Sequence, residues 1–186
     1  MKNRCLYIIL LSALIKLVNA DNTQTIHFTF IAPAATCTVE TKNVTIDFGS
    51  ISPTAITQKV HTDGTVVNGV SEKKAVIKLS NCILYSQTLQ VKYTPKETSQ
   101  SGKNLALYTN AKTPIDSGFG VKFEDANNTN AVIDFTATNP TLNLKDDGGG
   151  NYEINLNTIL IYDGNTTPSN LSGKINGALA IQMNYT

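Results

Sequence analysis

The sequence contains no tryptophan, only two histidines and only three cysteines among its 186 residues, and each scarcity narrows what the chain can be. A metal site would need more ligands than the cysteines together with His27 and His61 readily supply, so none is expected. Catalysis is as poorly served. There is no Gly-x-Ser-x-Gly elbow, and Asp47-Phe48-Gly49 stands without the Gly-rich loop, strand lysine and catalytic loop that would make it part of a kinase. No catalytic residue and no cofactor is assigned. Asp146-Asp147-Gly148-Gly149-Gly150 lacks the spaced acidic ligands and terminal Glu of a calcium loop and reads as a turn. Charge is balanced, 15 basic residues against 14 acidic, without the basic stripe that nucleic acid requires. Helical periodicity is missing too: Gly, Asn, Thr or Pro interrupts every window of a dozen residues.

What is present begins with a leader. Lys2 and Arg4 precede an apolar run from Leu6 to Ile15, and Val18-Asn19-Ala20 ends in the small residues that a signal peptidase needs, so residues 1–20 read as a secretory signal peptide. The run is interrupted by Lys16 and falls short of the roughly 20 apolar residues a bilayer demands, and no other stretch could span one. Cleavage removes Lys2, Arg4, Lys16 and Cys5, leaving 12 basic residues against 14 acidic ones and a net charge of −2. Cys37 and Cys82 are then the only cysteines, and in an exported protein two cysteines most simply make one disulfide.

The remaining 166 residues suit one domain, and their pattern is that of strands. Ile26, Phe28, Phe30 and Ala32 alternate with Thr25, His27 and Thr29. Val44, Ile46 and Phe48 alternate up to Gly49. Ala75–Leu79, Leu89–Tyr93, Leu105–Thr109 and Phe119–Asp125 follow as strands, and Ala126–Asn130 reads as a hairpin turn to Ala131–Phe135. Tyr152–Leu156 alternates but Ile159–Tyr162 is apolar throughout; if Ile159 and Ile161 face inward, a bulge near Asn157-Thr158 must shift the phase. The last strand carries Ile175, Gly177, Leu179, Ile181, Met183 and Tyr185 on one face and runs to the end of the sequence. From Gly177 onward it has no charged side chain, so its long apolar edge invites either aggregation or a partner. Asn-x-Ser/Thr sequons at Asn43, Asn127, Asn165, Asn170 and Asn184 arise by composition and are assigned no function.

The penultimate Tyr185, Gly173 fourteenth from the end and the alternation between them resemble the C-terminal motif of pilin (fimbrial) subunits of the bacterial chaperone–usher pathway. Thr25-Ile26-His27-Phe28 ahead of a cysteine, a strand ending in Phe48-Gly49, and Gly118–Asn127 are similar to further pilin segments, so the resemblance covers essentially the whole mature chain. Phe30 stands where many pilins carry Gly, which points to a minor subunit. The resemblance implies an all-β fold, an incomplete Ig-like β-sandwich lacking its final strand, completed by a donor strand from a chaperone or a neighbouring subunit. It implies a donor extension at 21–36 acting through Ile26, Phe28, Phe30 and Ala32, and a pilin domain at 37–186 whose acceptor edge is Gly173, Ile175, Gly177, Leu179, Ile181, Met183 and Tyr185. The implied partners are a periplasmic pilus chaperone, an outer-membrane usher and head-to-tail neighbouring subunits, with passage through the periplasm to a cell-surface fimbria. A second reading stays open: a self-contained secreted β-sandwich that binds carbohydrate or another ligand, with 21–35 folded back as its own strand.

Overall fold

A chain that alternates apolar and polar residues in short runs can bury one side of each run only by stacking sheet on sheet. The computed structural model, which describes residues 25–31, 37–51, 62–84, 88–109, 116–164 and 175–184, does this with strands alone among those residues. At positions 25, 28, 30, 31, 109 and 116 the description is of the backbone. The strands are β1 (Thr25–Ile31), β2 (Thr38–Val39), β3 (Asn43–Asp47), β4 (Lys73–Ser80), β5 (Thr88–Pro95), β6 (Leu105–Thr109), β7 (Asp116–Asp125), β8 (Ala131–Val132), β9 (Thr141–Asn143), β10 (Lys145–Gly148), β11 (Asn151–Tyr162) and β12 (Ile175–Asn184).

They form one curled sheet with two halves. The front half runs β3-β1-β12-β5-β9 and the back half β2-β4-β11-β7-β6, with β8 beside β7 and β10 beside β11. β12 joins the halves: Ile175 and Asn176 pair with Thr109 and Tyr108 of β6, then Leu179–Asn184 pair with β5. Side chains from both halves share one core, Val91, Leu179 and Ile181 from the front and Ile77, Phe119, Val121 and Leu156 from the back. Burial follows the sequence alternation, with Ala75, Ile77 and Leu79 buried in β4 and Leu89, Val91 and Tyr93 in β5.

Two irregularities have local causes. Between β6 and β7 the register shifts after Ala106, and the buried Ser117 hydroxyl donates to the Leu107 carbonyl at 2.7 Å while accepting from the Phe119 N–H at 3.2 Å. The hydroxyl thus occupies groups that a bulge would leave unpaired. The β7–β8 turn is held by Asn127, whose Nδ2 donates to the Asn143 and Glu153 carbonyls, both at 2.9 Å, and whose Oδ1 accepts from Asn155 Nδ2 at 2.9 Å.

The expected bulge in β11 does not occur. Its register with β4 and β7 is unbroken from Tyr152 to Tyr162, so Leu156, Leu160 and Tyr162 lie in the core and Thr158 falls in phase with them. Thr158 is fully buried because its hydroxyl donates to the Lys73 carbonyl at 2.9 Å. Ile161 keeps the opposite phase and is buried beside Gly120.

Candidate strand-binding slot

The front sheet has a gap that one segment fills. β12 and β3 do not pair with each other; β1 lies between them, parallel to β12 and antiparallel to β3. On the β12 side the register sets Ile26 beside Gly177, Phe28 beside Leu179 and Phe30 beside Ile181, and on the β3 side Ile26 beside Ile46 and Phe28 beside Val44. Ile26 is 0% exposed, whereas His27 and Thr29 are exposed, so the alternation of the N-terminal run is realised inside the chain's own sheet. The side chains of Phe28 and Phe30, and the whole of Ala32, Gly173 and Tyr185, lie outside the described residues, as do residues 1–20.

The floor of the slot comes from β12 and from residues beneath it. Ile175, Gly177, Leu179, Ile181 and Met183 are all buried, and the intervening residues are partly or fully exposed. Gly177 is needed for packing: a Cβ there would lie 2.6 Å from Leu107 Cδ2 and 3.0 Å from Leu105 Cδ2. Both leucines are buried core residues. Sequence reasoning identified the β12 face but missed β3 as the opposite wall and Leu105 and Leu107 as the support, because neighbours that distant in sequence leave no local signal.

A disulfide anchors the chain beyond β1. Cys37 is bonded to Cys82, with a Cα–Cα distance of 4.1 Å, which fixes the chain just after β1 to the end of β4. Five residues separate Ile31 from Cys37, a reach of about 20 Å at full extension. The other sheet margins among the described residues are short, two residues in β2 and three in β9, which limits pairing with other chains there. β3 is a five-residue edge with Asn43, Thr45 and Asp47 exposed.

Among the described residues no group of three or more His, Cys, Asp or Glu side chains could hold a metal ion, and no helix is long and apolar enough to cross a membrane.

This architecture defines an all-β sandwich of the pilin type, in which residues from Cys37 onward leave one strand position open to be filled by a separate segment. The sequence matches the family described as Fimbrial protein over residues 23–186, and the chain belongs to that family. The fold is similar to the crystal structure of the P pilus rod subunit PapA, at 15% identity and a TM-score of 0.59, covering 82% of this chain and 100% of that one. The CupB6 tip adhesin from Pseudomonas aeruginosa matches at 13% identity and a TM-score of 0.46, over 87% of this chain and 41% of that one. The Burkholderia pseudomallei antigen and type I fimbria protein BPSL1626 matches at 15% identity and a TM-score of 0.32, over 86% and 92% of the two chains. Among curated proteins none matches significantly.

Proposed function

We propose that the protein is a structural subunit of an adhesive fimbria that polymerises by donating residues 21–36 to the slot of a neighbouring copy, after a periplasmic chaperone has held that slot open and an outer-membrane usher has brought the subunits together. The observation that carries the reading is the position of β1, an N-terminal segment outside the disulfide-anchored domain that fills a gap between β12 and β3. A strand that enters its own molecule's slot is chemically able to enter an identical slot elsewhere, and donation repeated head-to-tail gives an open fibre.

The self-filled arrangement also explains how β1 could leave. Parallel pairing is slightly weaker per residue than antiparallel pairing, and β1 pairs with β12 in parallel. A strand arriving from another molecule can run antiparallel to β12. The intramolecular occupant is favoured by its high local concentration, and the exchange is decided by what a chaperone or neighbour supplies in its place. Membership in a family of fimbrial proteins supports a non-enzymatic role and a place on the cell surface.

The test is fibre assembly from purified chaperone-bound subunits. Ile26→Lys carries a charge into an apolar position and is expected to abolish donation, whereas Thr29→Lys, at an exposed position, leaves it intact. Wild-type polymerisation by Ile26→Lys overturns the donor-strand reading. The self-contained ligand-binding sandwich predicts no polymer from any variant.

A further inference from the structure

Away from the slot, the loop of residues 62–72 fastens to β11 beyond the stretch that pairs with β4. The Gly64 N–H donates to the Tyr162 carbonyl at 2.9 Å, the Tyr162 N–H to the Thr65 carbonyl at 2.8 Å and the Val67 N–H to the Leu160 carbonyl at 3.0 Å. Val67 is buried completely. β4 then begins at Lys73, which pairs with Thr158. Between these two anchors the chain makes an exposed turn at Asn68-Gly69.

An asparagine followed by glycine is chemically unstable where its backbone is free to turn. The amide nitrogen of the following residue gives up its proton and bonds to the side-chain Cγ, the Cγ–Nδ2 bond breaks with release of ammonia, and a five-membered succinimide results. Water then opens either ring carbonyl, giving aspartate or isoaspartate with no change of oxidation state. Glycine as the second residue puts no side chain in the way of the attack and permits the backbone rotation that ring closure needs. What opposes the reaction is a fold that fixes the peptide or engages the attacking N–H.

The chain holds two Asn-Gly pairs, and the fold treats them oppositely. Asn176-Gly177 lies inside β12, with Thr25 and Ile26 of β1 along one edge and Tyr108 of β6 along the other. Ring closure there would break a strand held from both sides. At the loop turn both Asn68 and Gly69 are exposed, and the Gly69 N–H has no hydrogen-bond acceptor among the described residues. Nothing lies within 4 Å of where a Gly69 Cβ would stand, so the turn has room to rearrange. The Asp-Gly pairs, which could close the same ring by losing water, are restrained: the Gly64 N–H is engaged by Tyr162, the Gly148 N–H donates to Asp146 Oδ1 at 2.8 Å, and Asp163 is fully buried.

We propose that Asn68 is a site of spontaneous deamidation in the folded protein, converting to aspartate and isoaspartate while Asn176 is preserved. Each event adds one acidic group to the 14 present and takes the chain without residues 1–20 from a net charge of −2 to −3. The isoaspartyl product also inserts one backbone carbon between the Val67 and Lys73 anchors.

The experiment ages the folded mature chain in neutral buffer beside a sample unfolded in guanidinium chloride, and then cuts both after lysine. Cleavage places Asn68 in the peptide of residues 60–73 and Asn176 in that of residues 175–186, so mass spectrometry with fragmentation reads the two sites separately. From the folded protein, the 60–73 peptide should gain one mass unit and split into two chromatographic peaks, and ion exchange of the intact protein should show a matching acidic species. Asn176 should react about tenfold or more slowly than Asn68, because closure there waits on local opening of the sheet; in the unfolded sample the two should react at similar rates. Gly69 has φ +81°, so the clean variant is Asn68→Gln, whose longer side chain closes a ring slowly and should remove the acidic species. An unmodified 60–73 peptide from the folded protein overturns the proposal. So does equal reaction at Asn68 and Asn176 in the folded protein, or an acidic species undiminished in Asn68→Gln.

Discussion

Removing residues 21–31 empties the slot and measures what β1 contributes. The segment brings seven backbone register positions against β12 and five against β3, and it buries Ile26 completely. Truncating a fully buried Ile to Ala alone costs about 2–5 kcal/mol, and each lost hydrogen bond costs about 0.5–1.5 kcal/mol net. Against the roughly 5–15 kcal/mol that holds a typical domain together, the deletion should leave the chain at or below its folding threshold and prone to associate through β12. A peptide of residues 21–35 supplied in trans should restore cooperative urea unfolding. Its midpoint should rise with peptide concentration as the stability increases, by about 2.7 kcal/mol at a hundred times the peptide's dissociation constant. A peptide carrying Ile26→Asp should have no effect, while one carrying His27→Ala, a side chain that is exposed in β1, should act as the native peptide does. A deletion variant within about 0.5 kcal/mol of the full chain, as harmless surface changes are, would refute the reasoning, as would indifference to the peptide.

Other parts of the structure make separate predictions. Gly177→Ala places a methyl 2.6 Å from Leu107 Cδ2 and should cost about 1–3 kcal/mol by overpacking; an unchanged urea midpoint would mean that Leu107 repacks freely. Cys37→Ser opens a link between residues 45 apart in sequence and should remove about 4 kcal/mol in the chain-entropy model, and its unfolding should no longer respond to reductant, in contrast to the wild type. Burial raises the pKa of Asp125 above its ordinary 3.8, against the lowering effect of the backbone N–H groups of Asn143, Asn127 and Asn128. Its contribution is thus fully present below 3.8 and lost as pH rises through the higher folded-state value. Asp125→Asn should flatten the pH dependence of the urea midpoint across that window; parallel curves for the two proteins would count against it.

Much of the fold was legible because a β-strand's two faces are written in its residues. Ala75–Leu79, Leu89–Tyr93, Leu105–Thr109 and Phe119–Asp125 each lie within an observed strand, and the alternation from Ile175 to Met183 matches the observed burial residue for residue. β11 misled for a reason local reading could not supply. Thr158 looks like an outward residue and Ile159 an inward one, until the Lys73 carbonyl accepts from the Thr158 hydroxyl and makes a polar side chain acceptable in the core.

By itself the sequence determined the strand pattern, and an apolar N-terminal strand and C-terminal edge that both needed covering. Those are properties of neighbouring residues and of composition. The tertiary structure alone decided that the two cover each other, that β3 closes the far side and that β1 runs parallel to β12. The alternation of Ile26, His27, Phe28 and Thr29 is the same whichever slot the strand enters. The two walls that receive it, β12 and β3, lie far apart in the sequence, and only the folded sheet brings them to either side of β1.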